Sequence, residues 1–206
     1  VIRLSEWKRD QNTYGGGYLL PPQQITVPGD LQPMNFAYPL QGNQDRQYNR
    51  LLVIGGYRGG LGLLLLNPDN PSNSRLTSVF AHYGGVTGVA YDPALRILFT
   101  SGADGLIRSW RVRIDNNTPS LQPLQSIAAH RFGGITLAYN PTRRILCSIE
   151  AYEAVAKGWN VDTNGDIQQL RWETDLSPLV SNASWLSAYN MEHPDYFGVY
   201  FDGVTY

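Results

Sequence analysis

The residues of this chain best able to do chemistry are three histidines, a few carboxylates and one thiol. His82 and His130 could act as bases or metal ligands. They stand 48 residues apart and each closes a similar stretch, which favours a structural role used twice. His193 precedes Pro194 in a segment that reads as a solvated loop. No H-x-x-x-H pair or cysteine cluster accompanies them, so the sequence carries no metal motif and implies no cofactor. Glu150, Glu153, Asp195 and Asp202 fall near the ends of predicted strands, where a converging pair could do acid–base work or hold a cation. Such carboxylates are common on surfaces, and Glu150 alone is kept as a weak catalytic candidate. Cys147 lies in the apolar run RILCSI and reads as a small buried hydrophobe. Gly-Gly pairs at 55–56, 59–60, 84–85 and 133–134 lack the lysine and helix of a phosphate-binding loop.

The elements that must position these residues repeat. AHYGGVTGVAYDPALRILFTSGADGLIRSWRV, residues 81–112, aligns with AHRFGGITLAYNPTRRILCSIEAYEAVAKGWNV, residues 129–161. Pro93 and Pro141 are also 48 apart, and Trp110 and Trp159 are 49 apart. A period of this length means one supersecondary unit reused. The 21 glycines and 13 prolines fall between short apolar runs, as in β proteins. The alternation predicts strands over 86–91, 96–101, 106–114 and 121–128, with residues 115–119 as a loop. The next unit gives 135–139, 144–149, 155–161 and 167–172. A looser unit upstream gives 34–39, 50–55, 62–66 and 75–81. Segments 1–7 and 23–27, and 184–189 and 196–201, read as half-units, and only 186–191 could form a turn of helix. The expected architecture is all-β: a single domain over 1–206 with blade units at 1–30 (half), 31–82, 83–130, 131–173 and 174–206 (half).

Repeated four-stranded antiparallel units of this length are the signature of a β-propeller. His82, Ser101, Asp104-Gly105 and Trp110 resemble the structural His, Ser, Asp and Trp of WD40-type repeats. In the second unit His130, Ser148 and Trp159 match, with Glu153 in place of Asp. The resemblance implies a hydrogen-bonded chain inside each blade, which would satisfy a buried indole and a buried imidazole together. The residue after Trp is Arg111 or Asn160, so the Trp-Asp dipeptide is absent. Residues 51–66, with Gly55-Gly56 after an apolar run, are similar to a kelch blade. A weaker resemblance is to the seven-bladed lactonase and carboxymuconate-cyclase propellers, through Ser101-Gly102-Ala103-Asp104, Asn160-Val161-Asp162-Thr163-Asn164-Gly165 and Ser184-Trp185-Leu186. The His and Arg of those cyclases align with Thr87 and Ile135, and their Glu falls at or beside Glu150. About four blade equivalents are present, either as a small closed ring or as part of a larger propeller.

Stacked blades would bring Tyr57, Arg58, Tyr83, Arg131, Phe132, Tyr152 and Glu153 to one rim. Tyr and Arg are the types expected to dominate a protein-binding patch. The expected function is therefore a non-catalytic scaffold for protein–protein interaction. Two alternatives stand: an enzyme of lactonase or cyclase type working around Glu150, and a carbohydrate-binding propeller using exposed Trp172 and Trp185. A net charge of −1 supplies no basic face for nucleic acid. The longest aliphatic run, 61–66, is far shorter than the ~20 residues of a membrane span. The chain begins at Val1, consistent with processing or with a longer parent chain. One cysteine leaves the compartment open, with the cytoplasm slightly favoured. Asn116-Asn117-Thr118 and Asn182-Ala183-Ser184 fit the glycosylation sequon.

Overall fold

The computed structural model describes the backbone of residues 2–4, 7–9, 17–19, 23–31, 34–67, 69–150, 152–178, 185–190 and 197–202. Side chains are described for 25–29, 31, 38–67, 69–70, 72–150 and 152–178. Among the described residues the regular structure is strand, with 3-10 turns at Gly29–Leu31, Tyr48–Arg50 and Pro71–Asn73. Four short strands come first: β1 (Ile2–Leu4), β2 (Trp7–Arg9), β3 (Gly17–Leu19) and β4 (Gln23–Ile25). The first blade is β5 (Met34–Leu40), β6 (Leu51–Gly56), β7 (Gly60–Leu65) and β8 (Arg75–Phe80). The second is β9 (Val86–Asp92), β10 (Ile97–Gly102), β11 (Leu106–Asp115) and β12 (Thr118–Ala128). The third is β13 (Ile135–Asn140), β14 (Ile145–Glu150), β15 (Val155–Val161) and β16 (Ile167–Asp175). A last pair, β17 (Trp185–Asn190) and β18 (Phe197–Asp202), follows.

Each blade is an antiparallel meander in which sequence neighbours pair. The first strands meet across blades, β5 with β9, β9 with β13 and β13 with β17, so they line a common axis. Alternation of side chains about each strand builds the core in slices between sheets. Leu98, Trp110 and Val112 face back into a cluster with Leu51, Val53, Leu61 and Leu63 of the first blade. Ile97, Phe99 and Ile107 face forward onto Ile135, Leu137, Tyr139 and Leu146 of the third. Strands buried on both faces read as unbroken apolar runs, and every residue of β10 and β14 is buried. Burial of each such Leu, Ile or Phe contributes about 1.5–3 kcal/mol. Polar ties cross between blades as well. Tyr139 Oη donates to Asp92 Oδ2 at 2.8 Å, and Thr77 Oγ1 donates to the Pro119 carbonyl at 2.9 Å.

Four details depart from the sequence reading. The expected loop at 115–119 is a two-residue hairpin turn, because Asn116 and Asn117 both adopt positive φ (51° and 59°), as a type I′ turn requires. The second strands of the repeats begin one residue late. Arg96 and Arg144 are left-handed turn residues (φ 58° and 51°) and cannot start a strand. Of segment 186–191, residues 186–190 belong to strand β17 and are not helical, and residue 191 lies outside the described residues. At the start, two nested pairs, β1 with β4 and β2 with β3, replace the two longer strands expected.

Candidate functional site

Blade two contains a closed chain of polar side chains. Trp110 Nε1–H donates to Thr100 Oγ1 at 2.9 Å, and Thr100 Oγ1 lies 2.9 Å from His82 Nε2. His82 Nδ1 lies 2.9 Å from Asp104 Oδ1. Directions follow from the donors: indole donates to hydroxyl, hydroxyl to Nε2, and Nδ1–H to the carboxylate. Arg108 Nη1 sits 2.7 Å from the same Nδ1 and 3.0 Å from Asp104 Oδ2. A guanidinium can only donate, so its bond is to the carboxylate. Asp104 also accepts the Tyr83 and Leu106 backbone N–H groups at 3.1 and 3.2 Å. Burial lowers the His82 pKa against the opposing pull of Asp104, with Arg108 adding to the drop, so the ring is neutral. Burial would raise the Asp104 carboxyl, but hydrogen bonds from His82, Arg108 and Tyr83 outweigh it and hold it below its ordinary value.

The hydroxyl of this chain is Thr100, not Ser101. Neighbouring residues of a strand face opposite sides, so Ser101 points away from the chain that Thr100 joins. There Ser101 Oγ donates to the Ile135 carbonyl at 2.6 Å, and Thr87 Oγ1 donates to the same oxygen at 2.8 Å. Both hydroxyls clip blade two to blade three. Thr87 and Ile135, which align with the cyclase His and Arg, are thus part of a structural contact. The signal for Thr100 was in the sequence: it lies 18 residues after His82, as Ser148 lies 18 after His130.

Blade three repeats the chain without its carboxylate end. Trp159 Nε1–H donates to Ser148 Oγ and Ser148 Oγ lies beside His130 Nε2, both at 2.9 Å. His130 Nδ1 is buried and has no hydrogen-bond partner among the described residues. Burial, with the Lys157 charge adding, pushes the His130 pKa down to about 4. Glu153 precedes Ala154, whose positive φ (52°) matches that of Gly105 (75°), so it holds the turn position of Asp104. Its backbone N–H, however, donates to Glu150 Oε2 at 2.6 Å, and Tyr152 N–H donates to Glu150 Oε1 at 2.9 Å. Glu150 is 0% exposed and its carboxylate closes the β14–β15 turn. Cys147 is buried, and burial pushes its thiol up to about 12.

The predicted rim is strongly aromatic. Tyr57 is 56% exposed, Tyr83 75%, Phe132 45% and Tyr152 84%. Phe80 packs edge-on against Tyr83, with ring centroids 5.2 Å apart, and the Arg131 guanidinium lies 5.2 Å from the Phe132 ring centre. Arg58 and Arg131 are exposed, and Glu153 is half-buried. Between blades two and three the rim opens into a slot of about 460 Å³, lined by Ala103, Phe132, Gly133, Gly134 and Tyr152. Gly133 permits this shape, since a Cβ there would lie 2.3 Å from the Ala103 Cα. Trp172 packs flat on Gly158, where a Cβ would come within 2.2 Å of the indole, and is half-buried against the outer core of blade three. The side chains of Trp185, His193, Asp195 and Asp202 lie outside the described residues. Among the described residues no three His, Cys, Asp or Glu side chains group as a metal site, and no helix is long and apolar enough to cross a membrane.

No family model matches the chain. A stretch of 63 residues, 31% of the chain, is 35% identical to the mouse (Mus musculus) WD repeat and FYVE domain-containing protein 2 and covers 15% of it. The solved structure of Chaetomium thermophilum Sqt1, bound to the N-terminus of the ribosomal protein L10, is also similar. It matches with a TM-score of 0.64 at 18% identity, over 84% of this chain and 45% of that one. The chain therefore spans less than half the length of either relative. The structural match, with the four-stranded meanders and the His–Thr–Trp chain, defines the fold as a WD40-like β-propeller.

Proposed function

We propose that this protein is a non-catalytic interaction module that captures an extended segment of a protein partner on its aromatic rim. The observation that carries the reading is the exposure of Tyr57, Tyr83, Phe132 and Tyr152 on the inter-strand loops, with Phe132 and Tyr152 lining an apolar slot. Rigid aromatic rings beside arginines are the usual energetic centres of protein interfaces. The slot would receive one apolar side chain of the segment, with Arg58 and Arg131 flanking it. Sqt1, of similar fold, binds a ribosomal-protein N-terminus, which supports a peptide-like partner. The buried histidines and Glu150 are taken up by hydrogen bonds within the blades, which supports a module without a catalytic centre.

The test is affinity capture with the wild-type chain beside Tyr83→Ala, Tyr152→Ala and Arg131→Ala variants. A centrally placed aromatic is worth about 2 kcal/mol, so each tyrosine variant should hold the captured partner roughly 30-fold less tightly. Equal affinity for wild type and the Tyr83→Ala/Tyr152→Ala double variant would remove the rim from the binding surface.

A further inference from the structure

A second cleft lies away from the rim, where the β7–β8 connection meets the β11–β12 turn. It encloses about 530 Å³, and Arg50, Asn67, Arg75, Asn116 and Asn117 are among its lining residues. The strand register fixes the two arginines. The Arg50 carbonyl accepts Leu66 N–H at 2.9 Å, and Arg75 pairs with Leu65, so the backbones of the two arginines flank the end of β7 on either side. The bond from Thr77 to the Pro119 carbonyl anchors the base of the β11–β12 hairpin beside β8. Its tip then carries Asn116 and Asn117 to the cleft. Among the described residues neither guanidinium has an ion pair or a side-chain hydrogen bond, although Arg96, Arg108 and Lys157 are all paired with carboxylates. Among the described residues Asp69 is the one acidic residue of the lining.

We infer that this cleft is an anion site for a phosphate group, free or carried as a monoester. Two forks of N–H donors and several carboxamides, with one carboxylate among them, form a donor-rich pocket suited to a tetrahedral dianion. A tetrahedral phosphate presents enough oxygens to accept from both guanidiniums at once, whereas the two oxygens of a planar carboxylate are taken up by one fork. The inference does not depend on the aromatic rim.

Inorganic phosphate and O-phosphoserine, titrated into the full chain with amide NMR detection, test it, and acetate at matched ionic strength is the comparison. Both phosphate probes should give saturable shifts at Leu66, Asn116 and Asn117, at least tenfold tighter than acetate. Arg50→Gln and Arg75→Gln should each weaken phosphate about tenfold or more, the loss of one charge-assisted contact. Asp69→Asn should tighten it by removing a like charge. Arg75 is exposed, so its variant keeps the fold if Arg50→Gln does not. No saturable shift with either phosphate probe, equal binding of acetate, or unchanged binding in Arg75→Gln would each overturn the assignment. Phosphoserine binding tightly where inorganic phosphate does not would assign a phosphorylated chain as the source, and equal binding of both would assign the free anion.

Discussion

Blades two and three are built from aligned sequence, yet only one of them finishes its polar chain. In blade two the imidazole is bonded at both nitrogens, from Trp110 through Thr100 to His82 and on to Asp104. In blade three the same path stops at His130 Nδ1. The cause is local. Gly102 leaves His82 room, since a Cβ there would come 2.3 Å from the imidazole Cγ. Glu150 stands in the matching part of blade three and ties the turn to itself, so the turn carboxylate at 153 is not drawn to the ring. Blade one shows a third solution. The register that pairs Leu98 with Trp110 and Leu146 with Trp159 pairs Leu52 with Leu64, which puts Ile54 where the others have Thr100 and Ser148. Both are buried. A buried polar network is stable when complete and replaceable when all members become apolar; the partial form is the costly one.

The largest effect should come from cutting the complete chain at its hub. Thr100→Val keeps the volume but leaves the Trp110 N–H and His82 Nε2 buried without partners, at a cost of about 2–4 kcal/mol. Ser148→Ala strands the same two groups in blade three, but Trp159 is only half-buried and its N–H can reach water. Its cost should be about 1–2 kcal/mol. Urea denaturation of both variants checks the order, and equal losses would show that the partial exposure of Trp159 gives its N–H no relief.

This contrast also marks what the sequence could reveal. The repeat period, the glycine turns and the recurring His and Trp were enough to place three meanders and their packing tryptophans. Arg96 reads as a strand residue, whereas its left-handed conformation belongs to the turn. The same slip at Arg144 left Ser148 correctly read, so what hid Thr100 was the serine beside it, which matches Ser148 in type but not in its 18-residue distance from the histidine. Glu153 was legible as a substitute for Asp104, but its failure to reach the imidazole was not. That depends on how Glu150 folds into the turn, a competition between two nearby carboxylates that spacing does not encode.

Acidification should expose the incomplete chain. The unfolded chain protonates histidine near the ordinary value of 6.5, whereas folded His130 does so at about 4. Between those values the unfolded state binds more protons, so stability falls as pH drops through that window and is fully present above it. The full loss is on the order of 3 kcal/mol. His82 is shifted the same way, but its Asp104 bond opposes the shift. Chemical denaturation at a series of pH values should therefore show a shallower slope in His130→Gln than in His82→Gln. The reverse order would place the stronger pH dependence in the complete network.

The smallest effect is also the sharpest test. Glu153→Gln removes a charge but keeps the length and the backbone bond to Glu150, so it should change stability by less than about 0.5 kcal/mol, as at an ordinary surface position. Asp104→Asn makes the matching change where the carboxylate binds imidazole, guanidinium and two backbone N–H groups, and should cost at least three times as much. A loss at Glu153 approaching that at Asp104 would mean its carboxylate completes the chain to His130 in solution. The two blades would then differ in the length of the turn and not in the wiring.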